Sequence, residues 1–126
     1  APVSADKAVL ESTLSFLDVL QRMMLGKETS RLKGLYLFWN QVDKQETSGL
    51  YEKYGQVVAD MGLPMLQTRI PDTKRFRKEA DGTGRTVFRS TLLAPDRRML
   101  AGSGIPELTR EIATILKLEG YEEAAE

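Results

Sequence analysis

The sequence predicts an α/β domain built on parallel strands, and three features point there. Two short apolar runs, 35–39 and 65–70, are bounded by turn residues, the pattern of strands buried on both faces. A segment of helical period, 48–61, lies between them, so strand, helix and strand follow one another through short connections and imply a parallel crossover. Two such strands serve three good helices, whereas sheets of about five or six strands are the norm. The reading therefore places missing strands N-terminal to Ala1, and pairing between copies through the sheet is compatible with it.

The elements follow in order. Residues 1–3 suit the end of a strand. Residues 4–25 read as a helix with Ser4 as N-cap, Asp6 in the positive first turn and Gly26 as C-cap. Its buried stripe is read as Val9, Phe16, Leu17, Leu20 and Met24, joined by Leu10 and Leu14. The 35–39 strand ends at Asn40. The 48–61 helix buries Leu50, Tyr51, Tyr54, Val57, Val58 and Met61, and Gly62 stops it. Pro64 opens the second strand, and Pro71-Asp72 closes it. Residues 73–81 form a short polar helix with Phe76 and Ala80 inward. Residues 82–104, punctuated by glycines, read as a long connection. Pro106 starts the last helix, whose stripe is Ile105, Leu108, Ile112, Ile115 and Leu116. The acidic segment 119–126 is a tail, so the folded part is read as one lobe, 1–118.

Composition excludes several classes of function. The 126 residues contain no cysteine and no histidine, which removes disulfide frameworks, thiolate nucleophiles, Ser-His-Asp triads and the usual zinc sites. No run of about 18 apolar residues is present, so no membrane span is expected, and the cytoplasm is the expected location. The 18 basic and 18 acidic residues cancel overall but not locally. Between residues 69 and 98, nine basic residues stand against four acidic ones. From 107 to 126, six acids face Arg110 and Lys117. The run Lys74, Arg75, Phe76, Arg77, Lys78 can hold phosphates, and Arg69 adds to the same region. No helix-turn-helix signal accompanies it, so sequence-specific readout is not implied.

No phosphate-binding loop is present, since Gly82-Thr83-Gly84 is a turn without a following Lys-Ser/Thr. Asp43, Asp72, Asp81 and Asp96 read as caps and turn formers. Asn40 and Asp72 stand apart because each lies at the carboxyl end of an expected parallel strand, where open α/β sheets bind ligands. An Asn side chain offers a donor and an acceptor, which suits a purine edge.

The run from Gly62 to Asp72, followed by Phe76, Arg77 and Ala80, resembles the C-terminal half of ParA/MinD-type partition ATPases. There a Leu-Pro-hydrophobic, x-Thr-x-Ile-Pro strand precedes a short helix carrying Arg and Ala. Trp39-Asn40-Gln41-Val42-Asp43 resembles the end of the family's preceding strand, and Pro2-Val3-Ser4-Ala5-Asp6 the junction after its Walker B strand. The segments 88–96 and 102–108 resemble the TraA branch, carried by conjugative transposons of Bacteroides. The resemblance spans residues 1 to about 118.

It implies the C-terminal part of a P-loop-type parallel-sheet domain that lacks its N-terminal strands, together with its Walker A and Walker B residues. The full-length parent would use ATP and Mg²⁺, bind DNA non-specifically, form homo-oligomers through the sheet edge or a family-type dimer, and work with other conjugation proteins. The fragment alone would be catalytically silent. By position, Asn40 matches the asparagine that contacts adenine, and Pro71 and Asp72 match the loop against the base. Arg69, Lys74, Arg75, Arg77 and Lys78 fall where the family has basic residues near its DNA surface. Gln41 departs from the family's Arg or Lys. The 82–104 segment is longer than usual and implies a system-specific partner surface.

Two other readings stand beside this one. One is a stand-alone interaction module binding DNA or an acidic partner through residues 69–98. The other is a small acid/base enzyme using Asp72 with Lys74 or Tyr36.

Overall fold

A computed structural model describes residues 1–46, 49–80 and 97–118. The expected turn at Gly82-Thr83-Gly84, Asp81 and Asp96, the 88–96 segment and the 119–126 tail lie outside the described residues. The element order is β1 (Pro2–Val3), α1 (Lys7–Met23), β2 (Phe38–Trp39), α2 (Leu50–Asp60), α3 (Lys74–Ala80), α4 (Arg97–Leu100) and α5 (Ile105–Ile115). The chain divides into two compact units, Ala1–Gln67 and Thr68–Glu126.

The first unit is a small parallel α/β layer. β1 pairs with β2 in parallel, Pro2 beside Phe38 and Val3 beside Trp39. Leu37 makes a further parallel bridge to Met65, with Leu37 N–H donating to Pro64 O at 3.0 Å and Leu66 N–H to Leu37 O at 2.7 Å. Three chain segments thus run side by side in sequence order, linked through α1 and α2. The third is shorter than the expected 65–70 strand. Pro64 has no N–H to give, and the Thr68 N–H donates to the Glu111 carboxylate at 2.9 Å rather than to a strand.

Helix α1 starts later than its sequence suggests. The cap is Asp6, whose extended backbone (φ −98°, ψ 124°) places its carboxylate to accept from Val9 N–H at 3.0 Å. Ser4 lies outside the helix because the chain is still leaving β1. The buried stripe also differs from the expected one. Leu10, Leu14 and Leu17 face the core, while Val9 and Phe16 face outward, Phe16 being 62% exposed. Spacings of i, i+4 and i+7 were available on two sides of this helix, and the sheet takes only one of them.

Leu37 and Trp39 are fully buried, and they join Val3, Leu10, Tyr51 and Val58 in one apolar cluster. Tyr36 is exposed and Phe38 half-buried, so β2 is covered on one face rather than both. Trp39 meets Tyr51 edge-on, ring centroids 5.0 Å apart, which fixes α2 against the strand. The Tyr51 hydroxyl in turn accepts from Asp43 N–H at 3.0 Å, tying the β2–α2 connection to the same ring. Asp43 accepts from Gln45 N–H at 2.9 Å, the turn role its sequence suggested.

α2 ends at Gly62 as expected. Gly62 has φ +74°, its N–H donates to Ala59 O, and Leu63 N–H donates to Val58 O, the paired bonds of a Schellman stop. α5 ends with the same two bonds, from Lys117 to Thr114 O and from Leu118 to Ala113 O. Here a lysine occupies the left-handed position at φ +56°.

In the second unit, α5 starts at Gly104 (φ +82°) with Pro106 in its first turn. Gly104 lies so close to the chain that a Cβ there would fall 2.9 Å from Arg69 O and 3.0 Å from Ile70 Cδ1. Ser103 is fully buried, donating through Oγ to Leu100 O at 2.7 Å and accepting from Ile105 N–H at 3.2 Å. Of the expected α5 stripe, Ile105, Leu108 and Ile115 are partly buried, but Ile112 and Leu116 are exposed; only Ala113 is fully buried.

Candidate functional site

The sequence singles out two groups of residues, and the structure treats them differently. Asn40 belongs to the first unit. It follows β2 at the carboxyl end of the parallel strands, and its backbone N–H donates to Val3 O at 2.7 Å, the last rung of the β1–β2 ladder. The residue is half-buried. Among the described residues its side-chain amide has no hydrogen-bond partner. A half-buried amide left unpaired offers one donor pair and one acceptor to whatever lies beyond the strand ends.

Gln41, directly after it, has φ +53°. A non-glycine residue in this region costs on the order of 1 kcal/mol, and such outliers gather at functional turns. The turn has a packing role too, since it brings Val42 into the apolar cluster.

Pro71 and Asp72 belong to the second unit. Pro71 is buried and Asp72 is exposed. Both Asp72 oxygens accept from Arg77 Nη2 at 2.9 Å. The Asp72 carboxylate is therefore held by Arg77, five residues on, rather than by Lys74. The pair is open to solvent on both sides, so its worth lies within about 0–1 kcal/mol.

The basic set is not a uniform charged face. Arg75 is turned to structural use: its Nη1 donates to Met99 O at 2.9 Å and to Ala101 O at 2.5 Å. It thereby satisfies carbonyls at the end of α4, a natural place for a cation. Arg77 is the partner of Asp72. Lys74 and Lys78 are exposed on α3, and Arg69 is exposed ahead of it. The Arg75 bonds also bring α4 against α3, so that the exposed Arg97 and Arg98 join the same unit's basic surface. Their contribution was visible in the sequence only as charge, because the clamp that gathers them is a side chain binding to backbone.

Among the described residues no three acidic side chains converge in a way that could hold a metal ion. No helix is long and apolar enough to cross a membrane. No protein-family model matches the chain, and no curated protein matches it.

Proposed function

We propose that this chain is the C-terminal part of a ParA-like ATPase of a conjugative element. It contributes the base-contacting side of a nucleotide site and a non-specific DNA-binding surface. The observation that carries the reading is Asn40, an unpaired amide at the carboxyl end of parallel strands joined through helices. That is where open α/β sheets receive ligands, and the amide matches the hydrogen-bonding edge of a purine. On this reading Asn40 reads the base, and the resemblance assigns Pro71 and Asp72 to the family's base-side loop. ATP and Mg²⁺ are bound by the full-length parent, whose phosphate loop supplies the lysine and the metal position. This chain turns over nothing alone, and it works in the cytoplasm with other conjugation proteins.

Calorimetry with Mg-ATP tests the reading, using this chain and the same chain extended upstream in its native frame. The extended protein binds and this chain does not, and Asn40→Ala in the extended protein weakens binding about tenfold. Failure of the extended protein to bind overturns it.

One observation favours a second reading. Lys74, Lys78, Arg97 and Arg98 are exposed on one unit, which suits a polyanion whether or not nucleotide is bound. On that reading the chain is a stand-alone interaction module for DNA or an acidic partner. The fourfold change Lys74→Ala/Lys78→Ala/Arg97→Ala/Arg98→Ala then abolishes salt-sensitive DNA binding by this chain alone. Binding that survives the change excludes the patch.

A further inference from the structure

Helix α4 carries Arg97 and Arg98, both exposed, yet little of its own holds it in place. It has four residues, far below the length at which a helix is stable alone, and none of them is buried. Its end is fixed through carbonyls instead. Arg75 Nη1 donates to Met99 O at 2.9 Å and to Ala101 O at 2.5 Å, and Ser103 Oγ donates to Leu100 O at 2.7 Å. Three consecutive acceptors, which a helix end leaves without internal partners, are thus taken by side chains. Ser103 ties α4 to the residues that follow it. Arg75 ties it to α3, 24 residues away along the chain. On α3 itself Lys74 and Lys78 are exposed one helical turn apart, and Arg77 is engaged with Asp72. Arg75, half-buried, is the cation of that run committed to backbone.

We propose that Arg75 is a positioning residue for a polyanion site. It binds no phosphate itself. It fixes the helix that carries Arg97 and Arg98 against the helix that carries Lys74 and Lys78, so that both pairs meet one ligand. The inference rests on the second reading above, in which this surface takes a polyanion. The physical reason is preorganisation. With α4 held, its two arginines need no ordering when phosphates arrive. With α4 released, they must be ordered at that moment, and their contacts no longer add to the affinity. Both hydrogens of Nη1 are already engaged with carbonyls, so Arg75 serves the site through α4 rather than by touching the ligand. A charge count would rank Arg75 equal to its neighbours; its bonds give it a different part.

Fluorescence anisotropy with a short mixed-sequence DNA duplex, repeated over a series of salt concentrations, tests the role. The slope of log affinity against log salt counts phosphate contacts, at about 0.9 for each. Arg97→Ala/Arg98→Ala lowers the slope by about 1.8. Arg75→Gln removes one charge yet lowers it by the same amount, and the three changes together lower it no further. A fall of about 0.9 that adds to the loss from the arginine pair makes Arg75 an ordinary phosphate ligand and overturns the proposal. A slope indifferent to Arg75→Gln overturns it as well. A second measurement needs no variant: in the NMR spectrum of the unaltered chain, the Arg75 guanidinium signal stays in place as duplex is added, and a shift of that signal overturns the positioning role. A chain that binds no duplex at all overturns the polyanion reading and this inference together, whereas duplex binding without the Arg75 effect overturns this inference alone.

Discussion

The two units of this chain are held together by different forces. In the first, Ala1–Gln67, strands and helices close over a continuous apolar cluster that includes Leu10, Leu37, Trp39 and Val58. In the second, described through 68–80 and 97–118, the fully buried side chains are few: Ile70, Pro71, Ser103 and Ala113. Its elements are joined instead by single directional bonds. Arg75 holds the carbonyls of Met99 and Ala101, Glu111 receives Thr68 N–H, and Ser103 bridges Leu100 O and Ile105 N–H. The comparison teaches that burial spreads stability over many contacts, whereas a polar frame concentrates it in a handful of groups.

The most severe way to break the first unit is Trp39→Ala. It removes a buried ring, its edge-on contact with Tyr51 and the support of α2, and it lowers stability by about 3–5 kcal/mol in urea unfolding. In the second unit the corresponding change is Arg75→Ala, which unpairs two carbonyls and costs about 1–2 kcal/mol. Hydrogen exchange should rise at residues 99–103 and stay unchanged in α1; equal rises in both would show that the units do not differ as described.

A smaller effect sharpens the contrast between two helix ends of the same design. Gly62→Ala forces a Cβ into the left-handed region and costs about 1 kcal/mol, whereas Lys117→Gly relieves that strain and gains about 0.5–1 kcal/mol. Thermal unfolding of the two variants gives shifts of opposite sign.

The smallest effect is electrostatic. In the 126-residue chain taken by itself, the Ala1 ammonium donates to Tyr36 O at 2.6 Å, and its partial burial lowers its pKa below the ordinary 8.0. A depressed amine disfavours the fold while it is charged. Stability is therefore lower below the depressed pKa and rises with pH until about 8, above which it levels off. With no histidine or cysteine, no other group ordinarily titrates between about pH 6 and 8, so urea midpoints at about pH 6.5 and 8.5 isolate it. N-terminal acetylation flattens the profile.

What was legible in the sequence follows the same division. The parallel strand–helix–strand order, the Gly62 stop, Pro106 in the first turn of α5 and the 74–80 helix are all set by local pattern or single-residue geometry. The failures are tertiary. α1 carries two apolar sides, and periodicity alone could not say which one the sheet would take. Continuous apolar character at 35–39 implied cover on both faces of β2, yet Tyr36 remains exposed. At the candidate sites, the position of Asn40 could be read from the strand end. The engagement of Arg75 with backbone carbonyls could not, because carbonyls leave no mark on composition.

Gly104 carries a consequence of another kind. Its backbone is left-handed, and the space where a side chain would begin is filled by Arg69 O and Ile70 Cδ1. The backbone disfavours most side chains there, and the missing volume excludes the rest. In a saturation library scored for folded protein, position 104 would return a single letter. The surrounding Gly102, with no atom nearer than Arg75 Nη1 at 4.0 Å, would fail only for its backbone and would accept asparagine. Two glycines two residues apart would thus record, in their tolerance to change, which stretch of the second unit is packed against its own chain and which merely turns.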